Sequence, residues 1–458
     1  MHRKNLNRSR QQGLPDRLSR WWLVFFGAAC LFPSNLHADT VTEWNAYTEQ
    51  AIHAAGQPPT VQARFLAIVH VAIYDAVNGL ENKYTPFFVT ERAPHVASPE
   101  AAAAQAAYTA LVQLFPDRKA ILDSQLAASL GAIARSRTGA TCLERGRAWG
   151  AYVAGQILAW RSRDGFTNQV SANFGGNAPG IWRSIPENTN ADGALPASFR
   201  QLAFMLPFAL KATDQFRPGP PPALSSALYA ADVNEVKVLG GMDSTRRTPD
   251  QTRLALLWQA VGPADENRAL RPLLESTDRR RDLVDTARIL ALINIAAADA
   301  IIAVFDCKNT YDFWRPYHAI RLADTDGNPA TTADPNWKSS VVVKNFQEYM
   351  SLQTAATAAL LGTAAELLGD DGRFTLSSPD YVGFTWTFHR FSDAVAQVIE
   401  ARIWGGLHFR NSCNVGAIQG AEISRYVLNH FLLPLKDGRV EPVDFERESH
   451  STGGSKIR

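Results

Sequence analysis

The chain has 458 residues, 46% of them hydrophobic and 20% charged, with a formal net charge of +2. Six Lys or Arg residues but one Asp fall in residues 1–38, so the remainder is slightly acidic and lacks the clustered basic face that a nucleic-acid partner would want. That length can bury one large core or two medium ones, and neither a low-complexity tract nor a repeat of fixed period is visible.

In chain order, Arg3, Lys4, Arg8, Arg10, Arg17 and Arg20 precede the apolar run 21–32 and then Leu36-His37-Ala38. The run is too short to cross a bilayer, and this order of basic, apolar and small residues is that of a secretory signal peptide cleaved after Ala38. A lipoprotein alternative at Cys30 is weaker because Gly27 stands where an aliphatic residue is expected. The mature protein is therefore expected to be exported, periplasmic or secreted, with no other segment apolar enough to span a membrane. Cys142, Cys307 and Cys413 remain after cleavage, an odd number that allows one internal disulfide. A 307–413 bridge is conceivable if the neighbouring elements meet; three buried thiols are the alternative.

Ala-rich helical periodicity marks residues 41–55, 59–80, 99–114, 119–134 and 143–163. In 59–80, Phe65, Leu66, Val69, Ala72, Ile73 and Val77 recur every three or four positions, and Pro58-Pro59 suits a helix start. His70, with Arg64 and Asp75 in the same helix, reads as a satisfied core residue before it reads as a ligand. From 164 to 222 Gly, Asn and Pro accumulate, as in an extended crossing between two halves. Helical signal returns at 223–239, 249–261, 282–305, 354–368, 381–404 and 414–432, with one short strand expected at 340–343. The expected fold is all-α, two packed helical bundles spanning 39–215 and 216–458, the second carrying the chemistry.

Three elements of the second half suggest an oxyanion site. A tetrahedral anion needs fixed cations and N–H donors around its oxygens and an in-line apical residue. Lys308 and Arg315 supply cations; Pro316 suits the start of a new helix, so Lys308 should close one helix and Arg315 introduce the next, beside an N-terminus that favours an anion. Ser351 can cap a helix beginning at Leu352, whose first-turn N–H groups could bind an anion oxygen. Arg402 ends a long helix, Gly405-Gly406 break it, and His408 is the candidate apical residue, nucleophile or ligand through a neutral ring nitrogen. Trp314 is placed beside the anion.

Lys308 with Arg315-Pro316, then Ser351, then Arg402 with His408 resemble, in order and spacing, the three-part signature of vanadium-dependent haloperoxidases and type 2 phosphatidic acid phosphatases. Pro58 to Arg64 running into His70 and Tyr74-Asp-Ala-Val-Asn78, Gln215-Phe-Arg-Pro218, Tyr229-Ala-Ala-Asp232 and Asn234 to Lys237 extend the likeness over most of the mature chain. The resemblance implies two helical bundles and one pocket for vanadate or phosphate. Lys308, Arg315 and Arg402 would hold the oxyanion, Ser351 and Leu352 would donate to it, and His408 would ligate vanadium or attack phosphorus. The implied chemistry is peroxide-dependent halide oxidation or phosphomonoester hydrolysis on a small-molecule substrate; bundles this apolar often pair, so a homodimer is expected.

The middle element departs from the family pattern. Where relatives have Pro-Ser-Gly-His, this chain has Met350-Ser351-Leu352-Gln353, and Ala401 replaces a Ser before the Arg. Gln353 can hydrogen-bond but cannot exchange a proton near neutral pH, and loss of a general acid costs about 10²–10⁴ in rate. The alternative function is therefore a catalytically impaired member that binds an oxyanion or serves a structural role. His318, three residues after Arg315, is the first candidate substitute acid, and His389, placed upstream of Arg402 on the long helix, the second.

Overall fold

Residues 39–440 of the computed structural model are described below, apart from 137, 186–194, 277–280, 382 and 437–438. The proposed signal peptide, its cleavage point and the Cys30 alternative lie outside these residues.

Local chemistry sets where the helices begin. Asp39 accepts the Thr42 N–H at 2.8 Å and starts α1 (Thr40–Ala54). Ser98 accepts the Ala101 N–H at 3.1 Å and starts α3 (Pro99–Leu114); α2 (Pro59–Glu81) and α3 both open on Pro, where no N–H is needed. Helices α4 (Lys119–Arg135) and α5 (Ala140–Arg161) follow. Beyond the irregular crossing come α6 (Ala227–Leu239) and α7 (Pro249–Ala260), the latter opened by a reciprocal capping box between Thr248 and Gln251. Then follow α8 (Pro263–Leu274), α9 (Leu283–Tyr311), α10 (Pro316–Arg321), α11 (Leu352–Leu368), α12 (Phe391–Trp404) and α13 (Arg410–His430).

The architecture is all-α, as expected. Helices α2, α3 and α5 pack on one another, α11 packs on α12 and α13, and α9 packs on both α2 and α11. One large apolar core draws on α1, α2, α3, α9 and α11, while a second, containing Tyr229, Phe313, Trp314, Tyr349 and Phe409, surrounds the segments that carry the candidate site. Two interfaces use small residues to bring backbones close. A Cβ on Gly150 of α5 would stand 2.2 Å from the Ala102 carbonyl of α3, and one on Gly420 of α13 would stand 2.3 Å from the Ala355 carbonyl of α11.

Several expectations need correction. Residues 374–388 form a hairpin, β1 (Phe374–Ser377) paired antiparallel with β2 (Thr385–Phe388), so the expected helix 381–404 starts only at Phe391. Phe374 and Phe388 stack across it at 5.3 Å, an alternation too short to register as a strand pattern in sequence. The strand expected at 340–343 is absent; an isolated bridge joins Ser339 to Gly241 nearby. Helix α8 has no counterpart among the expected helices, because Pro272 and a polar run mask its period, although Gly262-Pro263 followed by Asp265 and Glu266 is a usable start signal. Helices α2 and α9 do reach the length and hydropathy of a membrane span, contrary to the reading that no other segment does, but both are almost wholly buried inside the fold. Cys142, Cys307 and Cys413 are all free, so the 307–413 disulfide is not formed.

His70 is the core residue it was read as. It is fully buried, its Nε2 lies 2.8 Å from Asn45 Oδ1, and burial pushes its pKa down to about 3. Asp75 accepts the N–H groups of Phe87, Phe88 and Val89 at 2.7–2.9 Å, and Arg64 pairs with Asp164 at 2.8 Å. Helix α9 repeats this plan at the same spacing: Arg288 donates to the Leu432 carbonyl, Asn294 pairs with Asn267, and Asp299 accepts three N–H groups from Phe208, Ala209 and Leu210. Three residues per helix are too sparse a signal to show as a repeat in sequence.

Candidate active site

Helix α9 ends with Lys308 in its last turn and Asp312 in a left-handed cap; Arg315 then precedes Pro316, the first residue of α10. This bears out the local reading of both cations, and both are fully or almost fully buried. Their surroundings differ. Lys308 Nζ donates to the carbonyls of Gln347, Glu348 and Met350 at 2.7–2.8 Å. Three acceptors match the three hydrogens of an ammonium; a neutral amine would leave one carbonyl without a donor, so the cation is held although burial pulls its pKa well down. Lys308 is not among the residues lining the cavity. It builds the 346–350 segment that forms one wall.

Arg315 faces that cavity, a space of about 290 Å³ also lined by Phe199, Phe346, Leu352, Gln353, Arg402 and His408. Its Nε donates to the Phe346 carbonyl at 2.8 Å, and its Nη1 to the Leu407 carbonyl and to His408 Nε2, each at 2.9 Å. Arg402 Nη1 donates to the Trp258 carbonyl at 3.1 Å and to Gln353 Oε1 at 2.6 Å. Arg315 Nη2 and Arg402 Nε are buried without a partner. Each unfilled guanidinium hydrogen is a costly vacancy for an acceptor, of order 1–3 kcal/mol.

His408 arrives by the route the glycines allow. Gly405 caps α12, and Gly406 takes φ +72° while a Cβ on it would stand 2.5 Å from the Gly240 carbonyl. The imidazole Nδ1 lies 2.9 Å from Glu348 Oε1, which also accepts the Phe409 N–H at 3.1 Å. A carboxylate there takes the Nδ1 hydrogen and leaves Nε2 as an acceptor, here for Arg315. Burial first, then Arg315, Lys308 and Arg402, hold His408 well below its usual pKa, so it is neutral. Glu348 is the residue that sequence reasoning passed over: it lies within the middle element but was given no role. Burial raises its pKa, against the lowering influence of Lys308 and Arg315.

The middle element is otherwise arranged differently from expectation. Ser351 does precede Leu352 at the start of α11, but its hydroxyl pairs with Thr354 Oγ1 at 2.8 Å, makes no cap, and does not line the cavity. Leu352 and Gln353, in the uncapped first turn, do line it. Both ends of the Gln353 amide are engaged, with Arg402 and, through Nε2, with the Val261 carbonyl at 2.9 Å. His318 is buried beside Tyr317 and does not line the cavity, because the six-residue α10 carries it among the second core's side chains. His389 is exposed in the turn after β2, not on α12. Trp314 is fully buried in the second core and does not line this cavity.

Residues 288–436, which include Lys308, Arg315, Gln353, Arg402 and His408, match the family described as the VCPO second helical-bundle domain. The chain is 30% identical over 181 residues to vanadium chloroperoxidase of Curvularia inaequalis, a match covering 33% of this chain and 29% of that protein. It shares its fold with a bacterial vanadium-dependent iodoperoxidase (TM-score 0.73, 21% identity, 87% of this chain and 97% of that one). A bacterial vanadium-dependent chloroperoxidase in its holo form is also similar (TM-score 0.63, 17% identity, 81% and 91%). Residues 288–436 thus carry the VCPO second helical-bundle domain, and the chain as a whole shares the fold of the vanadium-dependent haloperoxidases.

Proposed function

We propose that the cavity binds a tetrahedral oxyanion, vanadate foremost, and that the protein is an exported haloperoxidase oxidising halide with hydrogen peroxide. The observation that carries this reading is the pair of unpartnered guanidinium atoms, Arg315 Nη2 and Arg402 Nε, on two buried cations that line one cavity with a neutral imidazole. These residues fit vanadate: Arg315 and Arg402 would offset its charge and His408 Nε2 would be its protein ligand. When bound, vanadate would supply the Lewis acidity that activates peroxide. Glu348 fixes the imidazole tautomer, the buried walls exclude water, and Arg315 Nη1 must yield Nε2 to the guest. Phosphate competes for the same cradle, and with a phosphomonoester His408 Nε2 would instead be the nucleophile.

Vanadate added to the purified protein is expected to raise its melting temperature and to confer halide-dependent bromination of a dye in the presence of peroxide. Failure of vanadate and phosphate alike to stabilise the protein would remove the reading. A second reading, a member that binds an oxyanion without turnover, is favoured by the fully engaged Gln353 amide. Stabilisation by phosphate with no turnover of peroxide, halides or aryl phosphates would select it.

Glu348→Gln removes the charge that orients His408. Vanadate affinity or turnover is expected to fall about 10–100-fold, as for other groups that orient a ligand. Calorimetric titration and steady-state rates check this; unchanged values in a folded variant would detach Glu348 from the site.

A further inference from the structure

The proposed chemistry needs a proton that none of the cavity-lining residues discussed so far can provide. Halide oxidation consumes one: halide, hydrogen peroxide and a proton give hypohalous acid and water, with the O–O bond broken and the halide oxidised by two electrons. Gln353 has no titratable proton. Arginine stays protonated, and His408 has Nδ1 on Glu348 and Nε2 reserved for the guest.

Among the described residues that line the cavity, Glu266 is the one carboxylic acid. It sits in the first turns of α8, is 2% exposed, and its Oε1 accepts the Thr357 hydroxyl at 2.6 Å. Thr357 lies one helical turn beyond Gln353 on α11, and both line the cavity, so the carboxyl stands along the helix face from which an acid is missing. We propose that Glu266 is the group that exchanges a proton with the bound oxyanion or its reacting oxygen, in the role that Gln353 cannot fill. The inference rests on the proposed function. Glu266 gives its carboxyl proton to the oxygen leaving the broken O–O bond and regains one from solvent; with a phosphomonoester, the alkoxide oxygen of the broken P–O bond would take it.

Burial pushes Glu266 up to about 7, against the lowering effect of the Thr357 hydrogen bond and with a small added rise from Asp265, so the carboxyl carries its proton in about half of the molecules at neutral pH. The charged and titratable groups around it are Asp265, Arg268 and Arg271 of α8, Glu49 and His53 of α1, and Arg315, Arg402, Lys344 and the neutral His408 of the cavity. Cavity-lining residues from α2, α9 and α11, such as Thr60, Ile301 and Ala356, are uncharged, as is all of β1.

The test compares the wild type with Glu266→Gln, which keeps an acceptor for Thr357. Tungstate serves as probe because it is a tetrahedral dianion that does not itself titrate near neutral pH. Calorimetry in buffers of different ionisation enthalpy counts protons taken up on binding, and since His408 and Lys308 can also contribute, the readout is the difference between the two proteins. An excess of up to about half a proton in the wild type at pH 7, with loss of about 10² or more of halide-oxidation rate in the variant, supports the proposal. Equal proton counts and equal rates overturn it. A wild type that shows the proton difference but no turnover upholds the proton site and removes the proposed activity; a wild type that binds no tungstate overturns both. Should Glu266→Gln fail to fold, Thr357→Val must move the proton-uptake midpoint to higher pH, and an unmoved midpoint overturns the assignment.

Discussion

His408→Ala is expected to abolish halide oxidation, with a fall of at least about 10³-fold, because it removes the one neutral ring nitrogen that can stand at the apex of the anion. Vanadate affinity should fall with it, while tungstate or phosphate, held chiefly by Arg315 and Arg402, should still bind. The fold should survive, since Glu348 Oε1 keeps the Phe409 N–H when the imidazole is gone. Dye bromination and calorimetric titration on the same preparation read both effects. Retained bromination at a rate near that of the wild type would move the chemistry elsewhere in the molecule.

Lys308→Met is expected to act on the fold first and on the site as a result. Methionine fills the volume but leaves the carbonyls of Gln347, Glu348 and Met350 without a donor inside the protein, and it strips Glu348 of a nearby cation. Breaking a buried charge network of this kind costs about 3–5 kcal/mol. Urea unfolding should show that loss, and amide exchange should accelerate around residues 346–351 more than in α2 or α3. An oxyanion-contact role alone would instead leave stability unchanged and lower only affinity.

Much of this arrangement was legible in the sequence because it rests on local signals. Pro59 after Pro58, Pro316 after Arg315 and Gly405-Gly406 after Arg402 each dictate a turn or a helix start within a few residues, and the structure keeps them. What could not be read was the allocation of hydrogen bonds between distant segments. Lys308 and Arg315 are both cations at the end of an apolar stretch, and only the return of residues 346–350 decides that one is spent on backbone carbonyls while the other keeps a free nitrogen. His318 illustrates the same limit: spacing from Arg315 suggested proximity, but the short α10 turns its ring into the aromatic core. Glu266 was missed with its helix, whose proline-interrupted, polar pattern resembles a loop.

The ammonium at 308 has one more implication. Because Lys308 Nζ holds the carbonyls of Gln347, Glu348 and Met350 by itself, that wall of the cavity is built without any contribution from a guest. Uptake and escape should then depend on the more exposed part of the lining, Lys344 with the half-buried Phe199 and Asn345, and on the Arg315–His408 contact, not on remaking the 346–350 wall. Variation in which molecules gain entry can accumulate along that rim while the inner cradle stays fixed.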